Sequence, residues 1–120
     1  MPGEALLELL DKKYHIIEEV LMKTSEQNRL IINKEFNAVA DVDAVKQNLI
    51  KELINTDSGI AEIKATDVKT YEKAKDKIQN INLSLNHLIK LEKENEILLE
   101  QAKSSFSGEY IKAYKTYKRP

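Results

Sequence analysis

Apolar residues recur at alternating steps of three and four over two long stretches of this chain. The longer stretch runs from about Thr66 to Ser107 and sets Tyr71, Ala74, Ile78, Ile81, Leu85 and Leu88, then Glu92, Asn95, Leu99, Ala102 and Phe106, on one line. One continuous helix satisfies that spacing. At about 1.5 Å per residue it is a rod on the order of 60 Å, too long for the middle of a round domain. The pattern therefore predicts the spine of an elongated bundle. A second stripe, from about Glu4 to Asn33, carries Leu7, Leu10, Tyr14, Ile17, Leu21, Thr24, Asn28 and Ile31, flanked by Leu6, Leu9, Val20 and Leu30. It predicts a partner rod, shorter than the spine, with Glu8, Lys12, Glu19, Lys23 and Glu26 turned to water.

Between the two stripes the rhythm breaks twice. Asn33-Lys34-Glu35-Phe36-Asn37 predicts a chain reversal, with Phe36 packing over the junction. Asn37, Asp41 and Asp43 are candidate caps for a shorter helix that carries Val42, Val45, Leu49, Ile50 and Leu53 and ends near Asn55. Thr56-Asp57-Ser58-Gly59 reads as the clearest breaker, followed by a loose turn at Ile60 to Ile63 and a cap at Thr66 or Asp67. The expected fold is all-α: an elongated antiparallel three-helix bundle or coiled coil, ordered long, short, long. Residues 1–108 form the bundle domain, and 109–120 form a tail. Both long stripes contain a polar step, Thr24 with Asn28 and Glu92 with Asn95. Two explanations fit: wet bundle ends, or a spine that leaves the core beyond Leu91 to meet another chain.

Composition sharpens this picture in three places. With only three Gly and two Pro, both Pro at the chain ends, little but helix is expected. No cysteine is present, so disulfide, thiol and sulfur–metal chemistry are excluded. Apolar runs are too short for a signal peptide or a membrane span, which makes the cytoplasm the expected location. Net charge is only −1, yet beyond Gly108 four cations face one acid among three Tyr. Tyr110, Ile111, Tyr114 and Tyr117 fall at offsets of one, four and seven, a helical apolar face, with Lys112, Lys115 and Lys118 elsewhere. Such a stretch is too short to hold a helix alone. It either folds back on the bundle or folds on a partner. No basic face backs the tail up, so neither nucleic acid nor membrane insertion is expected.

Candidate chemistry is sparse. There is no Gly-rich phosphate loop, no nucleophile elbow and no Glu-x-x-His pair for a di-iron bundle, so neither a catalytic residue nor a cofactor is expected. His15 lies one turn from Asp11 and Glu19, a spacing that reads as a solvated face rather than a metal site. His87 followed by Ile89 and Lys90 approaches the pattern of a histidine phosphotransfer domain, but Leu91 stands where that pattern needs Gly. Leu91 would crowd the approach of a phosphodonor.

Asn95-Glu-Ile-Leu98-Leu99-Glu-Gln-Ala102-Lys-Ser-Ser-Phe106 resembles the end of the long C-terminal helix in FlgN-type flagellar export chaperones. The Leu-rich opening at Leu6 to Leu10, Lys46-Gln-Asn-Leu49 and the position of Tyr110 extend the likeness over nearly the whole chain. The chain is short for that family, and Tyr-Lys-Thr-Tyr-Lys-Arg replaces its Gly-containing tail motif. The resemblance implies a cytoplasmic chaperone that grips the C-terminal helical region of hook–filament junction (hook-associated) proteins and delivers them to the type III export gate. Its expected partner-binding residues are Asn95, Leu98, Leu99, Ala102, Phe106, Tyr110, Ile111, Tyr114 and Tyr117, with Phe106→Ala and Tyr114→Ala weakening the complex. The alternatives are a self-associating coiled-coil scaffold or homo-oligomer, a prefoldin-like or other secretion adaptor, and phosphotransfer at His87.

Overall fold

The computed structural model describes residues 2–63 and 68–102. Three helices occupy them: α1 (Pro2–Ile32), α2 (Phe36–Ala61) and α3 (Val68–Gln101). The expected all-α bundle of long, short and long helices is what forms, with extents of 56 × 20 × 18 Å and no strand among the described residues.

Pairwise contacts fix the register. Lys13 meets Asp57 at 2.8 Å and Ile31 packs with Val39, so α2 runs antiparallel to α1. Lys77 meets Asp11 at 2.6 Å, Ser84 donates to Glu18 at 3.0 Å and Asn28 donates to Asn95 at 2.9 Å. These pairs hold α1 and α3 parallel with a nearly constant offset. The topology is up, down, up. The central rod, however, is α1 and not the longer α3: α1 packs against both neighbours, while α2 and α3 scarcely touch one another.

That arrangement explains several departures from the apolar stripes. Tyr71 and Ile78 are 59% and 44% exposed, and Val45 is 44% exposed, although all three lie on expected seams. Each would need a tight α2–α3 contact to be covered. Conversely, Leu99 is buried with Ile31 and Val39, because the parallel register carries α1 along the whole described length of α3.

The α1–α2 reversal occurs where expected. Glu35 N–H donates to the Leu30 carbonyl at 2.8 Å and Lys34 N–H to that of Ile31 at 3.0 Å, the paired bonds of a Schellman closure. Lys34 takes the left-handed position at φ 62°, and Phe36 packs on the Ile31–Val39–Leu99 cluster. The expected caps Asn37, Asp41 and Asp43 instead lie inside α2, whose capping residue is Glu35.

Thr56-Asp57-Ser58-Gly59 does not break the chain. The Thr56 hydroxyl donates to the Glu52 carbonyl at 2.8 Å and that of Ser58 to Ile54 at 3.1 Å, so side chains that favour turns bond within the helix. Helix continues to Ala61 because Ile60 packs into the Leu10–Ile17–Ala74–Ile81 core. Gly59 admits Leu9 closely, since a Cβ there would lie 3.3 Å from Leu9 Cδ1. The expected cap at Thr66 or Asp67 lies outside the described residues.

Candidate functional site

Two features stand out on this scaffold, and they adjoin. The first is a polar layer across all three helices in the upper half of the bundle, toward the α1–α2 turn. Thr24, Gln27, Asp43, Lys46, Glu92 and Asn95 are all buried, with Lys46 wholly shielded from solvent. Lys46 Nζ donates to Gln27 Oε1 at 2.8 Å and forms an ion pair with Glu92. Glu92 Oε1 also faces the Thr24 hydroxyl at 3.0 Å. Gln27 Nε2 donates to the Val39 carbonyl at 3.1 Å and to Asp43. Asn95 closes the layer, donating to the Thr24 carbonyl at 3.1 Å and accepting from Asn28 at 2.9 Å.

Burying two opposite charges is costly unless each is also hydrogen-bonded, and here each is. Asp43 feels that cost most clearly. Burial pushes its carboxyl up to about 6 and the Glu92 charge adds to the rise, against the opposing effects of the Gln27 hydrogen bond and the Lys46 charge.

The second feature is the groove left because α2 stands apart from α3. Ile17 and Val20 of α1 form its floor, Ile50 and Leu53 one wall, Leu88 and Ile89 the other, with Glu92, Lys93 and Glu96 at its upper end. Its volume is about 340 Å³. A shallower depression bounded by Lys93, Glu96, Ile97, Glu100 and Gln101 shares Lys93 and Glu96 with it and continues along α3. The Lys46–Glu92 bridge is the tie between the two walls. An apolar trough with charged residues at one end suits the apolar face of a helix.

The sequence-derived site residues divide in three. Asn95 and Leu99 are buried within the chain's own core, at 0% and 2% exposure. Leu98 and Ala102 are partly exposed. Phe106, Tyr110, Ile111, Tyr114 and Tyr117 lie outside the described residues. The polar steps in the two stripes are neither wet bundle ends nor a surface offered to another chain: they face each other across the α1–α3 seam. His15 and His87 are both exposed, and His15 stacks edge-on with Tyr14 at 5.9 Å between ring centroids. No group of three or more His, Cys, Asp or Glu side chains is arranged to hold a metal among the described residues. Nor is any described helix long and apolar enough to cross a membrane.

No family model, curated protein or solved structure matches this chain. Function must therefore be read from the site.

Sequence reasoning passed over Gln27, Asp43, Lys46 and Ile89. For Gln27 a signal existed, since it falls between Thr24 and Ile31 on the buried stripe of α1. Lys46 and Ile89 had none, because each is defined by a helix from another part of the chain.

Proposed function

We propose that this chain is a non-catalytic protein-binding bundle, an export chaperone of the flagellar junction-protein kind acting in the cytoplasm. It holds an amphipathic helix of its cargo in the groove between α2 and α3. The observation that carries this reading is the groove itself, an apolar trough kept open by a buried ion pair. The resemblance around Asn95–Phe106 supplies the cargo class. Association derives chiefly from apolar burial against Ile50, Leu53, Leu88 and Ile89, so it needs no nucleotide. Charged residues at the rim orient the partner. After delivery at the export gate, release requires only competition for the same surface.

The test is calorimetric titration with a peptide of the C-terminal helix of a junction protein from the same organism. Binding with a negative heat-capacity change is expected, weakened at least about tenfold by Ile89→Glu. Ile89 is 50% exposed, so that variant retains its helicity. Equal affinity for both proteins would overturn the assignment to this groove, and no binding at all would overturn the cargo class. A stable dimer whose mass is unaffected by peptide would favour the self-associating scaffold.

A further inference from the structure

Above the groove, Ile89, Lys93, Glu96 and Glu100 follow one another along α3 at steps of four, three and four. This is a second seam, distinct from the Glu92–Asn95–Leu99 line that packs on α1, and no described helix covers it. It leads from the α2–α3 groove to Gln101, the last residue of α3. The described chain stops at Ala102, and residues 103–120 follow directly from the upper end of that seam.

We infer that residues 109–118 occupy this seam and the upper part of the groove in the free chain, as a fourth helix antiparallel to α3 that a cargo helix must displace. The inference rests on reading the groove as the cargo site. Three observations carry it. The first is reach: six residues, 103–108, with Ser107-Gly108 as a turn, suffice to reverse the chain. Ten helical residues then extend about 15 Å, which carries the tail from the level of Leu99 past Glu96 to that of Ile89.

The second observation is pattern. Tyr110, Tyr114 and Tyr117 repeat the same four-and-three step as the seam, with Ile111 at their edge. The third is charge. Lys112, Lys115 and Lys118 flank the apolar arc of the tail on the side of Ile111, while Glu96 and Glu100 line the seam. Tethering makes this occupant favoured over any free one, because a short connector supplies an effective concentration on the order of 1 mM. Even a contact with an intrinsic dissociation constant of about 0.1 mM then closes the site roughly tenfold against a competitor. The consequence reverses the effect of Tyr114→Ala expected from the sequence: in place of weakening the complex, the substitution strengthens it.

The absence of cysteine makes the test direct, since Tyr117→Cys creates a unique attachment point for a nitroxide on the full chain. Amide signals of Ile89, Lys93 and Glu96 are expected to lose most of their intensity in isotope-labelled, spin-labelled chain diluted into unlabelled chain, and to regain it when the nitroxide is reduced. Converting Lys112, Lys115 and Lys118 to Glu restores the signals. Undiminished signals would overturn the inference, as would loss seen only when the nitroxide and the isotope are on different copies, which makes a second chain the occupant.

A leucine-rich amphipathic helical peptide then separates this inference from the reading beneath it. Peptide that restores the signals, and binds Tyr114→Ala about tenfold more tightly, supports both. Peptide that binds without restoring them overturns the competition. Failure of the peptide to bind Tyr114→Ala, with the signal loss intact in the parent chain, sinks the cargo site and leaves the tail docked.

Discussion

The two halves of the bundle are built by different means. In the lower half Leu10, Ile17, Ala74 and Ile81 pack with Leu6, Leu7, Tyr14, Leu53, Ile60 and Leu85, an apolar core with little to specify register. In the upper half the same α1–α3 seam carries Thr24, Asn28, Glu92 and Asn95, joined across to Gln27, Asp43 and Lys46. Apolar burial is non-directional, so a parallel pair with matching heptads could slide by seven residues at modest cost. The polar layer removes that freedom. Displacing α3 by one heptad would strand Lys46 without Glu92 and Asn28 without Asn95, each stranded group costing a kilocalorie or more. Stability therefore comes mainly from the lower half and register from the upper half. The groove lies where the two meet.

The largest expected effect breaks the upper half. Lys46→Met leaves Glu92 buried without its cation, and chemical denaturation should record a loss of about 3–5 kcal/mol. Ile17→Ala, in the lower half, creates a cavity at a fully buried position and should cost about 3 kcal/mol by the same measurement, with no change in pH dependence.

Asp43→Asn sharpens the contrast by removing a charge while retaining an oxygen for Gln27. Its carboxyl rises from 3.8 to about 6 on folding, so the folded state binds the proton more tightly than the unfolded one. The resulting stability is present below pH 4 and is lost as pH rises toward 6. Lys46, Glu92 and Gln27 are the groups that face it. The variant should lose that pH slope and be more stable than the parent at pH 7 by roughly 2 kcal/mol. The smallest effect lies at the turn, where Lys34→Gly relieves a left-handed backbone and should add about 1 kcal/mol, seen as a higher Tm.

Much of the fold was legible because it is local. The heptads of α1 and α3 and the reversal at Asn33–Phe36 follow from spacing and turn chemistry within single segments. What failed was decided elsewhere. Thr56–Gly59 carries the residues of a break, yet α2 continues because Ile60 finds the core and the hydroxyls bond one turn back. Tyr71 and Ile78 keep the seam spacing but have no helix opposite them. Glu92 and Asn95 were visible as polar steps, whereas their partners were not: spacing reports which residues share a face, never which residues of a distant helix will meet it. The same limit hid the groove, which exists only because α2 stands away from α3.

The most direct test of the division between halves is a double-mutant cycle on Lys46 and Glu92, with stability measured for Lys46→Met, Glu92→Leu and the pair. Each single variant should lose about 3–5 kcal/mol while the double variant stays within about 1 kcal/mol of the parent, a large coupling between two buried charges. Small, additive losses would contradict it: the polar layer would then be incidental and register would have to come from the apolar core.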